Sequence, residues 1–89
     1  MEFKRVETDM ERGIFVWEAP VSMKCLDGWL WVTGVVRVVV CTCLKEDFVG
    51  ISFEKMSASG SPVWGAQEKI RASIDKQAFI NEAYAEYGL

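Results

Sequence analysis

The valine-rich stretch from Gly28 to Leu44, GWLWVTGVVRVVVCTCL, constrains the fold more than any other part of the chain. It is shorter than the about 20 apolar residues that a membrane-spanning helix needs, and Arg37 interrupts it. Its six valines are β-branched, which favours a strand over a helix. The stretch therefore predicts a segment of β-sheet, and we expect no contact with a membrane.

Side-chain alternation along this stretch separates two faces of the predicted sheet. One face is wholly apolar and is expected to form the core, with Leu30, Val32, Val36, Val38, Val40 and Leu44. The other face is also apolar but has a charge in its middle, with Trp29, Trp31, Thr33, Val35, Arg37, Val39, Cys41 and Cys43. A single strand of this length would be unusually long. Either Thr33-Gly34 closes a hairpin, or Gly34 forms a β-bulge in one long strand.

Further strands are predicted on both sides of this stretch. Alternating segments begin at Phe3, Ile14 and Phe48, and Pro20 interrupts the second of them. Asp27-Gly28 is a good hairpin turn. The spacing is typical of an antiparallel meander of four to six strands.

A C-terminal segment rich in helix formers follows the small-residue segment SASGS at 57–61. Ser61 and Pro62 are suited to the N-cap and the first position of a helix. We therefore predict one α+β domain over residues 1–89. It consists of a sheet over about 1–56, a linker at 57–61, and one C-terminal helix over about 62–87 that packs on one face of the sheet.

The predicted helix has an acidic face that contains one aromatic residue, Phe79. The acidic residues of this face are Glu68, Asp75, Glu82 and Glu86. Two explanations stay open. The helix breaks near residue 77 and turns Phe79 inward, or Ala72, Phe79 and Ala83 form an apolar strip that contacts a second subunit or a partner.

Composition narrows the classes of function. The 89 residues carry ten basic and thirteen acidic side chains, interspersed, for a net charge of −3. No basic stripe is present, so nucleic acid is not an expected partner. The charged N-terminal segment has no secretory leader, and three cysteines make no disulfide framework, which together predict a cytoplasmic protein with reduced thiols.

The sequence predicts no catalytic residues, no metal site and no cofactor. Histidine is absent, which removes the most common general base and metal ligand. Cys25, Cys41 and Cys43 lack a fourth ligand for a closed zinc site and are expected to act as small apolar residues. Arg37 is the best single polar candidate, either as an outward-facing side chain or as an anchor for an anion.

Three classes of function remain. The first is a non-enzymatic protein-interaction module, a homodimeric adaptor or inhibitor, of the kind that mobile elements or phages use against host systems. The second is a binder of single-stranded nucleic acid, with Trp29 and Trp31 stacking on bases and Arg37 on the same face. The third is a small enzyme that uses carboxylate or thiol chemistry. We expect the first, because the chain has many aromatic residues and almost no catalytic groups.

Overall fold

The computed structural model describes residues 1–25, 28–42 and 47–86. In chain order, the elements are β1 (Lys4–Asp9), β2 (Ile14–Cys25), β3 (Leu30–Cys41), β4 (Phe48–Glu54), α1 (Ser61–Ser73) and α2 (Lys76–Glu86). The strands form one antiparallel sheet in the order β1-β2-β3-β4. The predicted α+β class and the antiparallel meander are confirmed, with four strands. The predictions for Asp27, Cys43 and Leu44, and for the end of the helix at about residue 87, lie outside the described residues.

β2 and β3 form one long hairpin that dominates the sheet. Their pairing runs without a register shift from Ile14↔Cys41 to Cys25↔Leu30. Pro20 therefore lies within β2 and does not end a strand. Gly34 pairs with Val21 in the regular ladder, so it is neither a hairpin turn nor a bulge. Both proposed explanations of this glycine are wrong.

Close approach of another chain segment accounts for Gly34. A Cβ at this position would collide with the Sδ of Met56 and would lie 3.1 Å from the carbonyl oxygen of Glu54. The segment that leaves β4 also bonds to β3, because Ser57 N donates to Thr33 O at 2.8 Å. Glycine is needed because two parts of the backbone meet at this point.

The core lies on one face of the hairpin. Val32, Val36, Val38 and Val40 of β3 are all 0% exposed, as the alternation predicted. The buried residues of β2 are Phe15, Val16, Trp17, Ala19 and Val21. Of these, the odd-numbered residues share the face of the buried valines, and Phe15, Trp17 and Ala19 pair directly with Val40, Val38 and Val36.

The prediction of one C-terminal helix is wrong, since α1 and α2 are separate, whereas the alternative of a break near residue 77 is close to the observed break at residues 74–75. Ile74 is extended, with φ −84° and ψ 125°, and ends α1. The Oδ1 atom of Asp75 accepts hydrogen bonds from the amides of Gln77 and Ala78, at 3.1 and 3.3 Å. Asp75 is thus the N-cap of α2. The break lies at residues 74–75 because this aspartate offers the backbone a new helix start.

Both helices contribute side chains to the clusters of buried residues on the sheet. Ile70 of α1 packs with Ala19, Val21 and Val36, and Ala83 of α2 packs with the β2 and β3 residues near Phe15. Val63 and Ala66 of α1 pack with Val32 close to the tip of the hairpin. In the part of the chain described above, no helix combines the length and apolar character needed to cross a membrane.

Arg5 joins β1 to α2. Its guanidinium lies 3.3 Å from a carboxylate oxygen of Glu82 and 3.1 Å from one of Glu86. It also lies 4.7 Å from the ring centroid of Trp17. Two ion pairs thus connect the short edge strand to the second helix, and a cation–π contact connects it to β2.

Candidate interaction surface

The sheet face that points away from the core clusters is the candidate interaction surface, and we call it the open face. It comprises Ile14, Val16, Glu18, Lys24, Trp31, Val35, Arg37, Val39, Phe48 and Glu54, which share one side of the pleat in the observed register. Phe48 and Trp31 are 53% and 55% exposed. Large aromatic side chains are therefore in contact with solvent at both ends of this face.

A three-residue ion-pair network crosses the centre of the open face. Arg37 Nη2 lies 3.3 Å from Glu18 Oε1, and Nη1 lies 3.7 Å from Glu54 Oε1. These partners sit on β2 and β4, so the network joins three strands. All three side chains are partly exposed. The charge of Arg37 is already opposed by two carboxylates of its own chain.

An apolar patch lies on one side of this network. Ile14, Val16 and Val39 are adjacent in the ladder, and Val16 is only 3% exposed although no described helix covers it. The ring of Phe48 lies over Gly50, where a Cβ would come within 3.0 Å of the ring. Gly50 pairs with Val39, so the phenyl ring lies beside the aliphatic patch.

The tip of the β2–β3 hairpin lies at the other end of the open face. Trp29 is 90% exposed in the turn before β3. The Nζ atom of Lys24 lies 5.1 Å from the ring centroid of Trp31, across the strand pair. Arg37 lies six residues after Trp31 along β3, which is about 20 Å at the usual rise per residue. The structure therefore does not bring Arg37 together with the two tryptophans.

The predicted apolar strip of Ala72, Phe79 and Ala83 is not formed. Ala72 is exposed on α1, whereas Ala83 on α2 is 0% exposed and belongs to the core. Phe79 packs against Phe3 and Trp17, with ring centroids 5.0 Å apart in both pairs. The break at residues 74–75 changes the direction of the helical face, and this turns Phe79 inward.

Of the three cysteines, the structure describes Cys25 and Cys41. Both are half-buried and neither forms a disulfide with a described residue, and the thiol of Cys25 donates to the carbonyl oxygen of Pro62 at 3.8 Å. Among the described residues, no group of three or more Cys, Asp or Glu side chains is arranged to hold a metal ion.

Sequence reasoning missed two residues of importance. Phe48 occupies an even-numbered position of β4, whereas Val49, Ile51 and Phe53 occupy odd-numbered positions and point to the other face. This alternation could have placed Phe48 on the open face. Arg5 gave no comparable signal, because its partners Glu82 and Glu86 are distant in sequence.

The comparisons with known proteins add no further assignment. No family model matches the chain, and neither the curated proteins nor the solved structures give a significant match.

Proposed function

We propose that this protein is a non-enzymatic protein-interaction module that forms a homodimer through the open face. The observation that carries the proposal is the apolar patch of Ile14, Val39 and Phe48 beside an ion-pair network in which Arg37 is engaged by two carboxylates of its own chain. An apolar surface bordered by polar groups is typical of a protein interface.

The charge network of the open face favours a protein partner. A free cation on this face would have to lose its water when a partner covered it, at a large energetic cost. Arg37 instead lies between Glu18 and Glu54 and brings its counter-charges with it. When a partner covers this network, Arg37 stays paired, and the network as a whole carries a net charge of −1.

The size and shape of the open face suit a second copy of the same chain. Two twelve-residue strands flanked by two shorter ones present about 600 Å² in projection, near the roughly 800 Å² that each partner buries in a standard interface. Two such faces can pack at the usual sheet-to-sheet distance of about 10 Å. A two-fold dimer would then have its sheets inside and its helices outside.

The other two classes of function have less support. Stacking on single-stranded nucleic acid would use Trp29 and Trp31, which are exposed, but Lys24 is the only cation in contact with either ring among the described residues. Phosphate binding depends on free cations, and Arg37 is engaged by two carboxylates. For an enzyme, neither carboxylate nor thiol groups converge on one cavity in the described part of the chain.

The proposal is tested by the molar mass in solution, measured by light scattering during size-exclusion chromatography. We expect a dimer for the wild-type chain and a monomer for Val39→Glu and for Phe48→Asp. Trp64→Asp is the matched control, because Trp64 is an aromatic residue of α1 that is 67% exposed. A wild-type monomer at every concentration would overturn the proposal, as would a dimer that both open-face variants retain while folded by circular dichroism.

A further inference from the structure

The second half of β2 has an unpaired edge. The pairing of β1 with β2 begins at Lys4↔Glu18, whereas β2 continues to Cys25. Over Ala19–Cys25, β2 is bonded to β3 on one side, and no strand of the described chain pairs with it on the other. We call this side the free edge.

The main-chain groups that face the free edge follow from the register. Both the N–H and the C=O of Thr33 bond to Ser57, so they point away from β2. Ser22 is opposite Thr33 and must direct its own N–H and C=O away from β3. Lys24, two residues later, also directs its N–H and C=O away from β3. Pro20 has no N–H and presents only its carbonyl group on this side. No hydrogen bond to these groups is found among the described residues.

Helix α1 lies beside the free edge and forms the second wall of a groove. A cavity of about 420 Å³ lies between Val21, Met23 and Ile70, and the side chain of Met1 also lines it, so a bound segment would contact Met1 as well. A second cavity of about 230 Å³ lies between Cys25 and Ala66. The groove therefore offers two apolar cavities side by side along one strand.

Lys69 lines both cavities and is the only charged side chain among the described residues that do so. Its ammonium group makes no ion pair with any described carboxylate. A carboxylate entering the groove would therefore find a cation that no internal partner engages.

Gly65 lines the same groove and has no internal explanation. It lies within α1, its φ is not positive, and a Cβ at this position would meet nothing within 4 Å. Glycine inside a helix lowers its stability, and the fold gains no packing in return. A glycine on a groove wall lets another backbone come close.

We infer that an extended segment of a partner protein binds in this groove as an added strand on the free edge of β2. Its main chain bonds to Ser22 and Lys24, two apolar side chains two positions apart enter the cavities, and an acidic group faces Lys69. The free edge of a second copy suits the groove less well, because Ala19–Cys25 contains Lys24 and no Asp or Glu that could face Lys69. This site is distinct from the open face.

A library of random linear peptides displayed on phage, selected against the immobilised full chain, is the probe. We expect enriched peptides with apolar residues two positions apart and an adjacent Asp or Glu. Fluorescence anisotropy of a labelled copy of such a peptide should show Kd raised at least about ten-fold by Gly65→Trp, which fills the groove, and raised by Lys69→Glu. Trp64→Ser on the other side of α1 and Phe48→Asp on the open face should leave Kd unchanged.

A second measurement tests whether the main chain of the peptide bonds to β2. We expect the peptide to slow hydrogen exchange of the Ser22 and Lys24 amides, and Ser22→Pro to weaken binding by removing one outward N–H. If Gly65→Trp does not fold, the Kd of Lys69→Glu and the hydrogen-exchange data decide whether the peptide binds in the groove. The proposal is overturned if no peptide is enriched, if binding survives both Gly65→Trp and Lys69→Glu, if the protected amides lie elsewhere, or if the groove variants instead abolish self-association.

Discussion

Phe79 of α2 packs edge-to-face against the indole ring of Trp17 in β2, with ring centroids 5.0 Å apart and ring planes at 68°. Trp17 is only 2% exposed and belongs to the core, and Phe79 is half-buried and packs against it. A residue that falls on the acidic face of a continuous helix is thus one of the anchors that hold α2 on the sheet. Its role is structural.

Phe79→Ala is expected to lower the free energy of unfolding by about 2–4 kcal/mol, because it removes a large ring from contact with Trp17 and Phe3. Urea unfolding followed by circular dichroism measures this loss. Trp64→Ala is the matched control and should change stability by less than about 1 kcal/mol, since Trp64 is mostly exposed. Equal effects of the two substitutions would contradict the placement of α2.

Asp75→Ala should lower the free energy of unfolding by about 1 kcal/mol, because two amides at the start of α2 lose their acceptor. Asp75→Asn should be nearly neutral, since asparagine is as good an N-cap. Thermal unfolding of the three proteins compares these values. A stability of Asp75→Ala equal to that of the wild type would mean that the helix does not start here.

Gly34→Ala is expected to destabilise the protein by about 1–3 kcal/mol, because the added methyl group meets Met56 and the backbone of Glu54. The same substitution at Gly65 is the control and should stabilise it by up to about 1 kcal/mol, as alanine favours the helix and meets no neighbour. We predict that the midpoint of denaturant unfolding falls for Gly34→Ala and rises for Gly65→Ala. Two changes of the same sign would contradict the close approach at Gly34.

Arg37→Gln should lower the free energy of unfolding by about 1 kcal/mol or less, because the ion pairs with Glu18 and Glu54 are partly exposed. The loss should shrink in high salt, which screens both the attraction in the wild type and the repulsion left between the carboxylates. Arg12→Gln is the control, since Arg12 is 78% exposed and pairs only with Asp9 among the described residues. A loss that salt leaves unchanged would show that packing of the arginine stem, rather than its charge, stabilises the sheet.

The strands were predictable because their alternation is strong. The valines of β3 fall on the core face at every second position, and Arg37 correctly marked the other face as partly wet. Pro20 misled the strand prediction, since proline is tolerated where its missing N–H would point to an unpaired edge. Whether this edge of β2 is unpaired depends on where β1 begins. The sequence of β2 alone does not show where that is.

The helical segment was less predictable because two signals conflicted. Residues 62–87 have helix formers throughout, but Asp75 is also a good N-cap, and a cap inside a helical run was not recognised. A break near residue 77 that turns Phe79 inward was one of two open alternatives, and recognising Asp75 as a cap would have favoured it over the apolar strip. The contact of Gly34 with Met56 is a tertiary effect, and no local pattern announces it.

The most direct test of the central proposal is a valine-methyl NMR dilution series of the wild-type chain. Val35 and Val39 lie on the open face, whereas Val36 and Val38 are 0% exposed on the core face. We predict that the methyl signals of Val35 and Val39 shift with protein concentration, that those of Val36 and Val38 do not, and that Phe48→Asp removes the shifts. Signals of Val35 and Val39 that stay constant at every concentration would contradict a homodimer formed through the open face.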